Sequence, residues 1–329
     1  MSHDQPFKIS RRALIAAGAA FAAGSARAET IDRPARWVVG FPAGGSTDVV
    51  SRLIVNQMKT WAPSFIVDNR AGAGGRLGVD NVKTSPPDGS AFLLTPASIQ
   101  VIYPHVYKKL GYDPIKDFEP VTTVCSTAFT LAVGPSVPAD VKTLKDFLVW
   151  AKANPKQAFY GSSGSGSMPH FIGYMIGKAL DFDFVHVPFR GAAPAVQDLV
   201  AGQIAANIAV ILNVLPMVQA GQLRALATTG AKRSAALPDT PTFTELGYGE
   251  VTAEEWFGIF MPAATSPELV AKANEAIRAA LQTAEVREAM SKMALDNVSQ
   301  SPAEFARILK ADLDKWRSIV AATGFTMDE

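Results

Sequence analysis

The sequence predicts an α/β protein of two lobes, each a mostly parallel sheet flanked by helices, joined by two chain crossings. Three observations predict it. Short apolar runs alternate with amphipathic segments from Trp37 onward, the alternation restarts near Phe129, and the chain ends in a wholly helical tail. With 329 residues there is room for two domains of the usual ~100–200 residues.

In the first cycle, the apolar run Trp37 to Phe41 ends at Pro42-Ala43-Gly44-Gly45-Ser46 and leads into a helix with Val49, Leu53, Ile54 and Met58 on one face. Phe65-Ile66-Val67 is the next strand, Leu77 to Val82 a helix, and Ala91 to Leu94 a strand that stops at Thr95-Pro96-Ala97-Ser98. In the second cycle, strands are expected at 129–133, 158–160, 184–187, 204–212 and 223–228, with helices over 144–153, 169–180 and 193–201. A strand over 255–261 opens the tail, whose helices are expected at 267–281, 283–293 and 302–323 and which packs on one lobe rather than forming a third. Short buried strands alternating with helices imply parallel pairing with helices on both faces. Crossings near 126–130 and 250–255 form a hinge, so 30–128 plus 253–329 make one lobe and 129–252 the other.

Residues 1–28 read as an export leader. Ser10-Arg11-Arg12 is its charged start, Ala13 to Gly24 its short apolar run, and Ala26-Arg27-Ala28 its small-x-small cleavage pattern. The arginine pair points to the twin-arginine route, an ordinary secretory signal being the alternative. Either route delivers the protein to the periplasm. The leader holds Lys8, Arg11, Arg12 and Arg27 against Asp4, so removing it takes four positive charges and one negative from the formal +1 and leaves the mature chain at net −2. No basic stripe for nucleic acid is present. An anion would therefore be held by local groups and not by the overall field.

Four loops at the ends of expected strands share one chemistry: residues 42–48, 95–98, 161–167 and 188–194 are rich in glycine, small residues and hydroxyls, and each leads into a helix. Open α/β sheets bind ligands outside the carboxyl ends of their strands. Helix N-termini present unpaired N–H groups and about half a positive charge, which suits a carboxylate. The candidate binding residues are Ala43, Gly44, Gly45, Ser46, Thr47, Ala97, Ser98, Ser162, Ser163, Gly164, Ser165, Phe189 and Gly191. Taken singly, each loop also fits an ordinary turn capped by Ser, Thr or Asp.

Other chemistries find little support. Gly72-Ala73-Gly74-Gly75-Arg76-Leu77-Gly78 has Leu77 where a dinucleotide fingerprint needs its third glycine. There is no GxxxxGK[ST] phosphate loop and no G-x-S-x-G elbow. Cys125 is the only cysteine, and His3, His105, His170 and His186 lack metal-ligand spacing, so no metal site, disulfide or cofactor is expected. His170 reads as a helix-face or rim residue and His186 as a core histidine.

Several of these segments carry a resemblance. Phe41 to Asp48 with Arg52, Val67-Asp68-Asn69-Arg70-Ala71-Gly72-Ala73-Gly74-Gly75, Pro87-Asp88-Gly89, Tyr112-Asp113-Pro114, Leu237-Pro238-Asp239-Thr240-Pro241 and Trp256-Phe257-Gly258 occur in the order found in Bug-type receptors. These are the extracytoplasmic solute-binding proteins of tripartite tricarboxylate transporters. The resemblance covers the whole mature chain. It implies a two-lobed periplasmic-binding fold of type II, with loop 42–48 and Ala97-Ser98 facing loop 161–167 across a cleft. Phe189 stands where the family has tyrosine, and Asp198 becomes a candidate cleft-wall residue or partner for a ligand amine. The function implied is capture of a small acid (a dicarboxylate, a tricarboxylate, an aromatic acid or an amino acid) by a monomer that delivers it to membrane subunits without chemistry. A sensory accessory to a two-component system would look the same in sequence. A periplasmic hydrolase using Ser165 and His170 is a third alternative, lacking an identifiable orienting acid.

Overall fold

The computed structural model describes residues 30–328, so the expected leader lies outside the described residues. The elements run β1 (Ala35–Val39), α1 (Ser46–Val55), β2 (Phe65–Asn69), α2 (Arg76–Lys83), β3 (Ala91–Pro96), α3 (Ala97–Val101), α4 (Tyr103–Val106) and β4 (Phe118–Val133). The second cycle is α5 (Leu144–Ala153), β5 (Phe159–Ser162), α6 (Met168–Ala179), β6 (Val185–Pro188), α7 (Ala192–Val200), β7 (Ala206–Val210), α8 (Ile211–Gln219) and β8 (Arg224–Thr228). The chain then returns through β9 (Glu254–Pro262), α9 (Pro267–Leu281), α10 (Ala284–Lys292), β10 (Asp296–Asn297) and α11 (Pro302–Thr323).

The strands lie in the order β2-β1-β3-β9-β4-β7-β5-β6, with β8 and β10 also on β4. Strand β4 explains the two lobes. From Phe118 to Ala128 it runs antiparallel to β9, and from Phe129 to Val133 it pairs with β7 and β8 instead. The two chain crossings meet at this change of partner: Thr229 donates its N–H to the Phe129 carbonyl at 2.9 Å, and Ala253 donates to the Thr229 carbonyl at 3.1 Å. The outer strands are parallel, as the alternation implied. The centre is antiparallel, because β4 and β9 carry the chain between lobes rather than belonging to a βαβ unit.

Three features depart from the sequence-based expectation. Strand β4 begins eleven residues before Phe129, because its threonines are buried with their hydroxyls satisfied: Thr122 donates to the Gln300 carbonyl at 3.0 Å and Thr127 to that of Ala294 at 3.1 Å. The strand expected over 204–212 stops at Val210, where α8 starts without a polar break. Helix α3 follows Pro96 directly, and α4 follows α3 after Ile102.

Helices cover both faces of the first sheet. Trp37, Trp61 and Phe92 pack under α1, α9 and α10, with Trp37 stacked on Phe92 at 5.3 Å. On the other face, Phe305, Leu309 and Trp316 of α11 close the core, and this core runs on into the second lobe through Phe171 of α6. The tail therefore packs on the first lobe while its end touches the second, where Phe325 meets Phe171 at 6.0 Å between ring centres.

Candidate functional site

A cavity of about 650 Å³ opens where the two halves meet. Loop 42–47 and Ser98 line it from the first half, and Ser163, Ser167 and residues 190–194 from the second. Three helices begin on this cavity without a side-chain cap: α1 behind Gly45, α7 behind Gly191 and α8 behind Val210. Helices α5, α9, α10 and α11, elsewhere, are capped by the side chains of Thr143, Ser266, Thr283 and Ser301. A helix leaves its first N–H groups unpaired whatever its sequence. Here caps occur on those other helices and not on these three, so the cavity receives free amides and positive helix ends from both sides.

The first loop is braced from behind. Asp48 accepts from the Gly44 N–H at 2.9 Å and from Arg52 Nε at 3.0 Å. Asn69 Nδ2 donates to the Phe41 carbonyl at 3.1 Å. Burial pushes the Asp48 carboxyl up, but Arg52, the Gly44 N–H and Asn69 together hold it below the usual carboxylate range. Gly44 sits at φ +82° with open space where a Cβ would be, so its backbone faces the cavity bare.

The loop after β5 is built differently from the expectation. Ser162 is buried, with its hydroxyl 2.6 Å from His186 Nε2, and Ser167 donates to the Gly164 carbonyl at 2.6 Å. These hydroxyls hold the loop in shape. Gly166 donates its N–H to His170 Nδ1 at 3.2 Å, and His170 stacks on His186 with ring centres 4.0 Å apart. Burial lowers His170 to about 4 and, with His170 beside it, His186 to about 3, so both rings are neutral at neutral pH. The serine that meets a histidine is Ser162, and no hydrogen bond joins Ser165 to His170.

Of the expected binding residues, Ala43, Gly44, Gly45, Ser46, Thr47, Ser98, Ser163 and Gly191 line the cavity. Ala97 is fully buried, and Ser162, Gly164 and Ser165 stand behind or beside the lining. Phe189 packs against Val196, Leu199 and Ile204 in the core of the second lobe. Its backbone N–H donates to the Ser162 carbonyl at 3.0 Å, tying the two loops together. Asp198 lies half-buried in α7, away from the lining.

Among the polar lining residues that the sequence did not single out (Tyr103, Gln197, Asn207, Asn213, Gln222 and Glu255), two are buried with unusual surroundings. Asn207 of β7 is 1% exposed, and neither atom of its amide has a hydrogen-bond partner. Glu255 of β9 is 4% exposed and accepts from the Ser98 N–H at 3.0 Å and the Ser98 hydroxyl at 3.1 Å. The amide of Ser98 is thereby already used, so this loop offers a ligand less than its composition implied. Burial raises the Glu255 carboxyl to about 7 despite these donors. The rest of the wall is mainly apolar, including Phe41, Ile99, Phe129, Ile208, Leu212 and Met217. Among the described residues, no group of three or more His, Cys, Asp or Glu could hold a metal ion, and no helix is long and apolar enough to cross a membrane.

Residues 49–325 match the family model for the tripartite tricarboxylate transporter family receptor. The chain is 31% identical to protein BugT of Bordetella pertussis over 294 residues, covering 89% of this chain and 90% of that protein. Among solved structures, it is similar to MatC from Rhodopseudomonas palustris with bound malate (28% identity, TM-score 0.81, covering 88% of this chain and 99% of that one). It is also similar to R. palustris Rpa4515 with adipate (29% identity, TM-score 0.84, covering 89% and 98%). With the fold, the cleft and these likenesses in agreement, the chain belongs to the tripartite tricarboxylate transporter receptor family, as a Bug-type periplasmic solute-binding protein.

Proposed function

We propose that this protein captures a small organic acid by closing its two lobes around it, performs no chemistry on it, and delivers it to the membrane subunits of a tripartite tricarboxylate-type transporter. The lobes are 30–128 with 253–329, and 129–252, and a leader over 1–28 directs export. One observation carries the reading: uncapped helix N-termini reach the same cavity from both lobes, α1 from the first and α7 and α8 from the second. A carboxylate between them takes hydrogen bonds from both sides only when the lobes are together, so binding favours closure. Each hydrogen bond to a charged group contributes about 1.5–3 kcal/mol. A micromolar affinity needs about −8 kcal/mol in all. A few backbone amides with Ser46, Thr47 and Ser163 suffice.

The malate and adipate of the structural neighbours support a carboxylate ligand. The apolar wall favours an acid with a hydrocarbon body over a compact, fully charged one. The test is a thermal-shift screen of mono-, di- and tricarboxylic acids, aromatic acids and amino acids, followed by calorimetry on the hits. An acid at a hundred times its dissociation constant is expected to stabilise the protein by about 2.7 kcal/mol. If no acid shifts the melting temperature, or if a bound acid is turned over, the proposal fails.

A further inference from the structure

We propose that the ligand is a zwitterion, a carboxylic acid that also bears a cationic amine, and that Glu255 is the residue that receives the ammonium group. This deepens the receptor reading and rests on it.

Glu255 lines the cavity yet is almost fully withdrawn from water. Its immediate partners are neutral: the Ser98 N–H and hydroxyl, with the Ala97 N–H also directed at it. A carboxylate has about four acceptor directions. These three donors leave room for one more, on the side of the cavity. The titratable groups near enough to act on it are Asp312, Tyr103 and Cys125, none of them a cation. Asp312 is itself an acceptor, taking Trp256 Nε1 at 2.7 Å. Among the described residues no Lys, Arg or His pairs with Glu255, although a buried carboxylate is stable only when paired or supplied with donors.

A ligand carrying carboxylates alone would bring a second negative charge into this low-dielectric space. A ligand with an ammonium group instead supplies the missing cation, and its own carboxylate is left for the helix amides. Asn207 provides an independent sign that a polar group is wanted from the second lobe. Its amide lines the same cavity, is 1% exposed, and has neither its N–H₂ nor its oxygen engaged. An unengaged buried amide is costly, and a ligand carboxylate accepting from Asn207 Nδ2 removes the cost. The site thus presents a buried acidic group on one lobe, amide donors on both, and the exposed Arg190 on the second, a pattern for a molecule of mixed charge.

The experiment pairs acids that share a carbon skeleton with and without the amine, glutamate with glutarate and phenylalanine with 3-phenylpropionate, inside a screen of all the common amino acids and their des-amino counterparts. Calorimetry at pH 7 in buffers of different ionisation enthalpy gives affinity and proton release together. The bound amino acid is expected to outbind its des-amino counterpart at least tenfold and to release a proton, because the ammonium drives Glu255 to ionise. Glu255→Gln is expected to weaken the amino acid at least tenfold and to leave the des-amino acid within about threefold. The affinity ratio and proton count come from the unaltered protein, so they decide the matter even if the variant folds poorly. Equal binding of the two members, or proton uptake on binding, overturns the inference while the receptor reading stands. If no acid of either kind binds, both fall.

Discussion

The Ser98 hydroxyl accepts the Met168 N–H at 3.2 Å, so a side chain of the first lobe caps the opening turn of a second-lobe helix. The same hydroxyl donates to Glu255. Ser98 is therefore engaged on both lobes at the cavity wall: its hydroxyl serves the first turn of α6, as Glu255 serves that of α3. Ser98→Ala removes both contacts while keeping the backbone N–H on Glu255. It is expected to lower unfolding stability by about 1–3 kcal/mol, read as a lower urea midpoint at pH 7.5. An unchanged midpoint would show that the hydroxyl does not fasten the lobes.

Glu255 makes stability depend on pH from the alkaline side. Its carboxyl ionises near 4.5 when unfolded and near 7 when folded. Between those values the native state holds the proton more tightly, so the stabilisation is full below about pH 4.5 and lost as pH rises through 7. A shift of that size corresponds to about 3 kcal/mol. Unfolding measured at pH 5 and pH 8.5 is expected to show Glu255→Gln gaining stability relative to the unaltered protein at the higher pH. A difference between the two proteins that does not vary with pH would contradict this.

The stacked histidines act from the acid side. His170 and His186 have folded-state values of about 4 and 3, below the ordinary 6.5. The unfolded chain therefore takes up protons first, and the stability they contribute is full above pH 6.5 and lost as pH falls toward 4. Melting temperatures followed from pH 7 to pH 4 are expected to decline less steeply for His186→Gln, whose amide can still bond Ser162. An identical decline would place the acid sensitivity elsewhere.

Asn207 separates stability from binding. Asn207→Leu replaces an unengaged buried amide with apolar atoms of similar size, and the ligand-free protein is expected to become more stable by about 1 kcal/mol or more. The same change is expected to weaken the ligand about tenfold or more by removing a donor from the wall. Thermal unfolding with and without ligand measures both. A variant less stable without ligand would mean that the amide has a partner in solution.

Legibility in the sequence followed the chemistry of each segment. The loops at 42–47 and 190–194 were readable because they turn backbone toward the cavity, and backbone exposure demands glycine and small residues in an obvious cluster. The tail helices were readable from caps and periodicity. Strand β4 was hidden before Phe129 because its threonines look exposed until residues 294–300 supply their partners. Helix α8 was hidden because the apolar run from Ile208 to Leu212 crosses the end of β7 without a polar or glycine break, and Pro216 within the helix reads as a stop. Glu255 and Asn207 were missed for a related reason: each is a buried polar residue on a strand, Glu255 beside the exposed Glu254, and one sequence does not say whether such a residue faces water, a partner or a cavity. Asn207 had the clearer signal, with only apolar residues around it from Ile204 to Leu212.

The most direct test of the whole account is a crystal structure of the protein with the acid found by the screen. The carboxylate oxygens are predicted to lie at hydrogen-bond distance, 2.7–3.2 Å, from backbone nitrogens at the start of α1 and of α7 together, residues 46–47 and 192–193. A carboxylate held only by Arg190, or only by one lobe, with those amides still turned to water, would contradict it.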